Sequence, residues 1–233
     1  MYTLGLESTA HTFGIGIVDE KCNVLANAKH AYTNNDAGIH PRLAADHHFA
    51  HGKDVLEKAL AQAKLRMSDI DCISFAQGPG LGPCLRVGAI TARYLSARYG
   101  IPVLGVNHCV AHVEIGKAKT AARDPIVVYT SGANTQIIGF ENGKYRVFGE
   151  TLDMGVGNVL DTFGRKLGMG FPAGPVIDAR YFEGKNLIDL PYSVKGMDLV
   201  FAGLLTEAEK KIGKENETDL CYSIMHTAFS MVC

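Results

Sequence analysis

Apolar residues alternate or cluster over short runs at the start of the chain, in Tyr2 to Glu7 and again in Thr12 to Asp19, and both runs read as strands. The Ser-Thr pair between them supplies turn chemistry, and Val24 to Thr33 makes a third strand. A polar loop, NNDAGIHPR at 34–42, precedes apolar and alanine positions at helical spacing from Leu43 to Met67, a long helix that Ser68 and Asp69 end. Asp71 to Phe75 reads as a buried strand, GPGLGP as a backbone-permissive loop, Leu85 to Tyr99 as a helix, and IPVLGV as another strand leading into a helix.

At Pro125 the opening pattern returns, with IVVYTSGANTQIIGF followed by the strand YRVFGE. A strand, a short hydroxyl-rich turn and a second strand therefore occur at both Leu4 to Val18 and Val127 to Phe140. This echo predicts two related domains, 1–124 and 125–233, each opening with a hairpin whose turn faces a common cleft. An alternating α/β chain without duplication would show similar hairpins.

At 233 residues, 47% hydrophobic and 20% charged, the chain has the composition of a globular protein with material for one large domain or two smaller ones. Its formal charge of -1 is not that of a strongly basic nucleic-acid binder, so any RNA surface is local or borrowed from a partner. Six cysteines without a CxxC pair fit neither a zinc knuckle nor a disulfide framework, and read as reduced thiols in the cytosol. The first residues resemble no export signal, and no window approaches the roughly 18 apolar residues of a membrane span. The apolar helical pattern of DLCYSIMHTAFSMVC has no stop signal after it, which predicts a truncated protein whose last apolar face lacks packing partners.

Candidate chemistry begins with NHCVAH, which follows a strand and places His108 and His112 at i and i+4. On a helix that spacing brings two imidazoles to one face within reach of one metal ion, zinc or iron; the plain alternative is two ordinary helix histidines. A peptidase of the HExxH type would carry a glutamate after the first histidine, where this chain has Cys109, and Glu114 lies two residues past His112 on a different face. A second set, His40, His47, His48 and His51, runs from the loop into the long helix. The i,i+4 spacing of His47 and His51 allows a metal, but a polar rim on the first helical turn is the preferred reading.

The turns ESTAHT and YTSGANTQ expose backbone N–H groups and hydroxyls that can hold phosphate or carboxylate oxygens, although many such turns bind nothing. In GVGNVLDTFGRKLGMGFPAGPVID, Asp161 lies in a candidate helix, and Gly174 and Asp178 follow a Gly/Pro-rich turn. Contacts to ribose or substrate hydroxyls and simple capping are both open, with capping the stronger reading for Asp178.

Taken in order, GLESTAHTFGIGIVD, GIHPRLAADHH, AQGPGLGPCLRVG, NHCVAHVE, VYTSGANTQ and GVGNVLDTFGRKLG resemble one family, the tRNA N6-threonylcarbamoyladenosine synthesis subunit TsaD, formerly called O-sialoglycoprotein endopeptidase. The form GNVLDTFGRKLG resembles its archaeal and eukaryotic branch, which works in the KEOPS assembly with a small kinase. The resemblance implies an α/β, actin-like ATPase (ASKHA) fold of two ribonuclease-H-like domains, the second truncated.

It implies one metal ion, iron or zinc, on His108, His112 and Tyr129, plus an aspartate that has no counterpart before Cys233. It implies ATP or threonylcarbamoyl-adenylate on Tyr129, Thr130, Ser131, Gly132 and Ala133 and on Asp161, Gly174 and Asp178, with an asparagine and a late adenosine-binding loop also absent, so that the chain as given is incomplete for catalysis. The implied reaction transfers the threonylcarbamoyl group to N6 of adenosine 37 in tRNAs reading codons that begin with A, in the cytoplasm, and no residue stands out as a general base. A metallopeptidase and a nucleotide-binding scaffold are the rival readings.

Overall fold

The computed structural model describes residues 1–33 and 39–233, so most of the predicted polar loop at 34–42 lies outside the described residues. The described chain divides into two compact units, one running up to Ala121 and the other spanning Ala122–Cys233.

The first unit is built on β1 (Tyr2–Glu7), β2 (Thr12–Asp19) and β3 (Val24–Ala31), followed by helix α1 (Pro41–Ala63), β4 (Cys72–Gly78), α2 (Gly82–Tyr99), β5 (Val103–Asn107) and α3 (His108–Lys119). The five strands form one sheet in the order β3-β2-β1-β4-β5. The first two pairings are antiparallel, and β1-β4 and β4-β5 are parallel. Period-two alternation sends Leu4, Leu6, Phe13, Ile15 and Ile17 into one core with Val55 and Ala59 of α1 and Ala92 and Leu95 of α2.

Helix α1 stops earlier than its apolar spacing predicts. Lys64 takes the left-handed conformation at φ 57°, and its N–H closes the helix on the carbonyls of Leu60 and Ala61. Met67 is buried from a separate 3-10 turn, Met67–Asp69, so its apolar character reflects tertiary burial and not helix continuation.

The second unit opens with β6 (Val127–Thr130), β7 (Thr135–Glu141) and β8 (Lys144–Glu150), an antiparallel sheet in that order. Helices α4 (Val156–Lys166) and α5 (Gly174–Tyr181), the short hairpin β9 (Val194–Lys195) with β10 (Asp198–Leu199), and helices α6 (Ala202–Lys211) and α7 (Glu217–Val232) complete it. Val159, Phe163, Ile177, Phe201, Leu204, Leu220 and Ile224 anchor its core.

The expectation that the last apolar face lacks partners is overturned. Leu220, Cys221, Ile224, Ala228, Met231 and Val232 are all buried in that same core, because α5, α4 and α6 pack around α7. Among the described residues, no helix is long and apolar enough to cross a membrane, and the six cysteines are free thiols.

Candidate functional site

In the first unit Glu7 and His108 lie at the carboxyl ends of the parallel strands β1 and β5, the edge where open α/β sheets commonly hold ligands. Asn107 at the end of β5 caps α3, its side-chain oxygen accepting from the amides of Cys109 at 2.9 Å and Val110 at 3.2 Å. That cap starts the helix at His108, so His108 and His112 share a face, with ring centroids 4.6 Å apart and planes at 89°. Cys109 and Val113 point into the unit and are buried.

Glu7, the last residue of β1, lies 3.1 Å from His108 through Oε2 and Nδ1. A carboxylate only accepts, so Nδ1–H donates, and in the neutral ring Nε2 of His108 is the lone-pair nitrogen. Glu7 also accepts from the amide and hydroxyl of Thr9. Burial works to raise the Glu7 carboxyl, but the hydrogen bonds from His108 and Thr9 outweigh it and hold it below its ordinary value. His112 is held below the usual imidazole value by burial and by neighbouring His108, against the opposing pull of Glu7. The downward shift of His112 favours its neutral imidazole, the form that ligates metals. A groove of about 320 Å³ opens beside Glu7, with Gly5, Gly14 and Gly16 in its lining.

The GPGLGP loop braces the turn after β1. The amide of Leu81 donates to the carbonyl of Thr9 at 2.7 Å, and a Cβ on Gly80 would sit 2.7 Å from that same oxygen. Only a glycine allows this approach.

In the second unit Tyr129 and Thr130 end β6 and lead into a turn that Ser131 closes on itself. Its N–H and hydroxyl both donate to the Asn134 carbonyl, at 2.8 Å and 3.0 Å, and its hydroxyl oxygen accepts from the Asn134 amide at 3.0 Å. The first turn of α4 docks onto this loop, with Gly157 donating to the Ser131 carbonyl at 3.2 Å and Asn158 to the Gly132 carbonyl at 2.9 Å. A side chain on Gly157 would collide with Gly132, its Cβ 2.8 Å from the Gly132 Cα. Gly132 and Ala133 are exposed, and their amides donate to nothing among the described residues, which leaves two adjacent donors for an anion. Further along α4, Asp161 Oδ1 accepts from the amides of Ala173 at 2.8 Å and Gly174 at 3.3 Å, fixing the start of α5.

The family described as tRNA N6-adenosine threonylcarbamoyltransferase (TsaD) matches residues 22–233. The chain belongs to this family. A relative from Thermococcus kodakarensis, named tRNA N6-adenosine threonylcarbamoyltransferase, is 55% identical over 232 residues, which span 99% of this chain and 71% of the relative. A protein from Methanosarcina mazei named "Probable bifunctional tRNA threonylcarbamoyladenosine biosynthesis protein" is 51% identical over 234 residues, covering 99% of this chain and 43% of its own length.

Among solved structures, HypF from Thermococcus kodakarensis aligns with TM-score 0.63 at 13% identity over 97% of this chain and 38% of that one. Component A of the (R)-2-hydroxyglutaryl-CoA dehydratase of Acidaminococcus fermentans gives 0.59 at 12% identity over 100% and 76%. These likenesses show that the chain shares its α/β fold with both proteins, in agreement with the fold class that the sequence motifs imply.

Several residues behave differently from their sequence reading. Asp178 is not a cap: it is exposed inside α5, whose N-terminal amides belong instead to Asp161. His48 is no part of a polar rim but is fully buried, with Nε2 2.8 Å from the Ala10 carbonyl. Burial pushes its imidazole below the ordinary value. His40 does act on the first turn, as the N-cap of α1. Half-buried His47 is pushed down to about 4, first by burial and then by His51, His30 and His48.

Glu114 pairs with Lys117 at 3.2 Å on the exposed side of α3. Tyr129 is nearly buried on β6, opposite Gln136 of β7. Sequence reading missed Glu7. The available signal was a lone carboxylate at the end of a core strand, immediately before a hydroxyl-rich turn.

Proposed function

We propose that the chain transfers the threonylcarbamoyl group of threonylcarbamoyl-adenylate to N6 of adenosine 37 in tRNAs reading codons that begin with A. Membership of the threonylcarbamoyltransferase family carries this reading. The exocyclic amine attacks the carbamoyl carbon, the bond from that carbon to the phosphate oxygen breaks, and AMP leaves. The arylamine is a weak nucleophile, so orientation supplies much of the rate.

His108, His112 and Tyr129 are the proposed ligands of one metal ion, iron or zinc. The histidines fit that role, because Glu7 engages Nδ1 of His108 and both rings lie on one helix face. When bound, the ion supplies positive charge for the oxygens of the mixed anhydride.

The turn Tyr129, Thr130, Ser131, Gly132 and Ala133 receives the phosphate, supported by the two free amides. Asp161 acts on the nucleotide through the backbone it fixes at Gly174, and exposed Asp178 is open to ribose hydroxyls. ATP is the alternative occupant of the same turn. The proposed partners are tRNA and KEOPS-type subunits including a small kinase, in the cytoplasm.

Peptide hydrolysis has no support in the first unit, since Cys109 is buried and Glu114 is turned to Lys117. Single-turnover transfer with purified tRNA and threonylcarbamoyl-adenylate, in the presence of the partner subunits, tests the proposal. Transfer is expected from a chain of the relatives' full length and lost in its His108→Ala form, and a fully active variant removes the histidine from the mechanism. No transfer, with nucleotide binding retained, selects the scaffold.

A further inference from the structure

The second histidine set meets a partner that the sequence does not place beside it. Ala26, Ala28 and His30 alternate along β3 toward α1, and the two alanines are small enough to let the helix approach. His47 and His51, one turn apart on α1, meet His30 there. Its Nδ1 lies 2.7 Å from His47 Nε2, and its ring stacks on that of His51 with centroids 3.9 Å apart and planes at 11°. One ligand nitrogen from each of the three lies within 4.8 Å of the others.

The protons on this cluster can be assigned from its buried end. The Ala10 carbonyl only accepts, so His48 donates to it through Nε2–H at 2.8 Å. Neutral, buried His48 then presents a lone pair at Nδ1, which lies 3.2 Å from His47 Nδ1. His47 donates across that gap, and its lone pair is fixed at Nε2, on the side of His30. A backbone carbonyl, a buried imidazole and a half-buried imidazole thus orient one nitrogen outward, the relay by which proteins orient metal-ligating histidines.

We propose that His30, His47 and His51 form a binding site for a first-row divalent cation of the zinc class, with a fourth position open to solvent. Three imidazoles without a carboxylate or thiolate favour zinc, nickel or copper over magnesium or calcium. Zinc–nitrogen bonds of about 2.0–2.1 Å put tetrahedral ligands about 3.3 Å apart. The His30–His47 distance of 2.7 Å must therefore open slightly, which exposed His30 can do by side-chain rotation. Bound metal ties β3 to α1.

Zinc titration followed by calorimetry and metal analysis tests this in a His108→Ala, His112→Ala double variant of the full chain, where the proposed catalytic ligands are gone. One zinc per chain is expected to remain. Adding His30→Asn or His51→Ala should weaken it by more than about 100-fold, since removing even an outer-shell partner costs 10–100-fold. Zinc at 100 times its dissociation constant should also shift the folding equilibrium about 100-fold toward the native state, a shift the added substitutions abolish.

As a second measurement, His51→Ala alone should lower the zinc stoichiometry by one while His108→Ala leaves this site filled. Circular dichroism verifies that each variant folds. No zinc in the double variant, or equal affinity after His30→Asn and His51→Ala, overturns the site and leaves a hydrogen-bonded imidazole stack only. Transfer activity is measured separately, so failure here leaves the proposed function standing.

Discussion

Replacing Glu7 with glutamine keeps the shape of the side chain but removes the charge that orients His108. In the native site Oε2 faces His108 Nδ1 at 3.1 Å while Oε1 accepts from the Thr9 amide at 2.6 Å. Glutamine offers one carbonyl oxygen and so serves one of these partners, presenting an amide donor to the other. Losing an outer-shell carboxylate costs 10–100-fold in metal affinity, or about 1.4–2.7 kcal/mol. Stability should change little, because the Glu7 side chain is 41% exposed and such pairs contribute under about 1 kcal/mol.

Competition for metal against a chromophoric chelator reads the first effect, and urea unfolding reads the second. Threonylcarbamoyl transfer by Glu7→Gln should fall at limiting metal and recover as metal is raised, a response that a purely structural role would not give. An unchanged metal affinity in Glu7→Gln, beside a clear loss in His108→Ala, refutes the reasoning.

Asp153 caps the α6 region by accepting from the amides of Phe201 at 3.0 Å and Ala202 at 2.7 Å, so Asp153→Asn should cost about 1 kcal/mol in urea unfolding. Burial works to raise its carboxyl, but the amides outweigh it and lower the value. Its contribution is therefore complete above the ordinary aspartate value and lost as pH falls through the depressed one, so the gap between native chain and variant should close in acid. Asp161→Ala should lower stability by about 1 kcal/mol by releasing the Ala173 and Gly174 amides, and unchanged unfolding would show that α5 starts without it. Gly88→Ala would drive a Cβ into Ser8 Oγ and should cost about 1–3 kcal/mol, read as a lower melting temperature; wild-type stability would mean that Ser8 simply rotates away.

The sequence by itself determined the elements with a strong local period. Alternation over residues 2–7 and 12–19 marks β1 and β2 at their observed ends, because one buried face dictates every second residue. The i,i+4 spacing of His108 and His112 places both rings on one face of α3 whatever the helix packs against. The ordered motifs also carried the family and its fold.

Only the tertiary structure decided the rest. Glu7 and His108 are 101 residues apart and meet because β4 carries β5 and α3 alongside β1. His48 looks like its polar neighbours in sequence but is buried, since the rotation of α1 against the sheet turns it toward Ala10. His30 joins His47 and His51 through the packing of a strand on a helix, and Asp161 reaches the start of α5 across a turn. Sequence periodicity reports the neighbours a residue has within a turn or a strand pair, whereas these partners are set by which elements become adjacent when the apolar faces are buried.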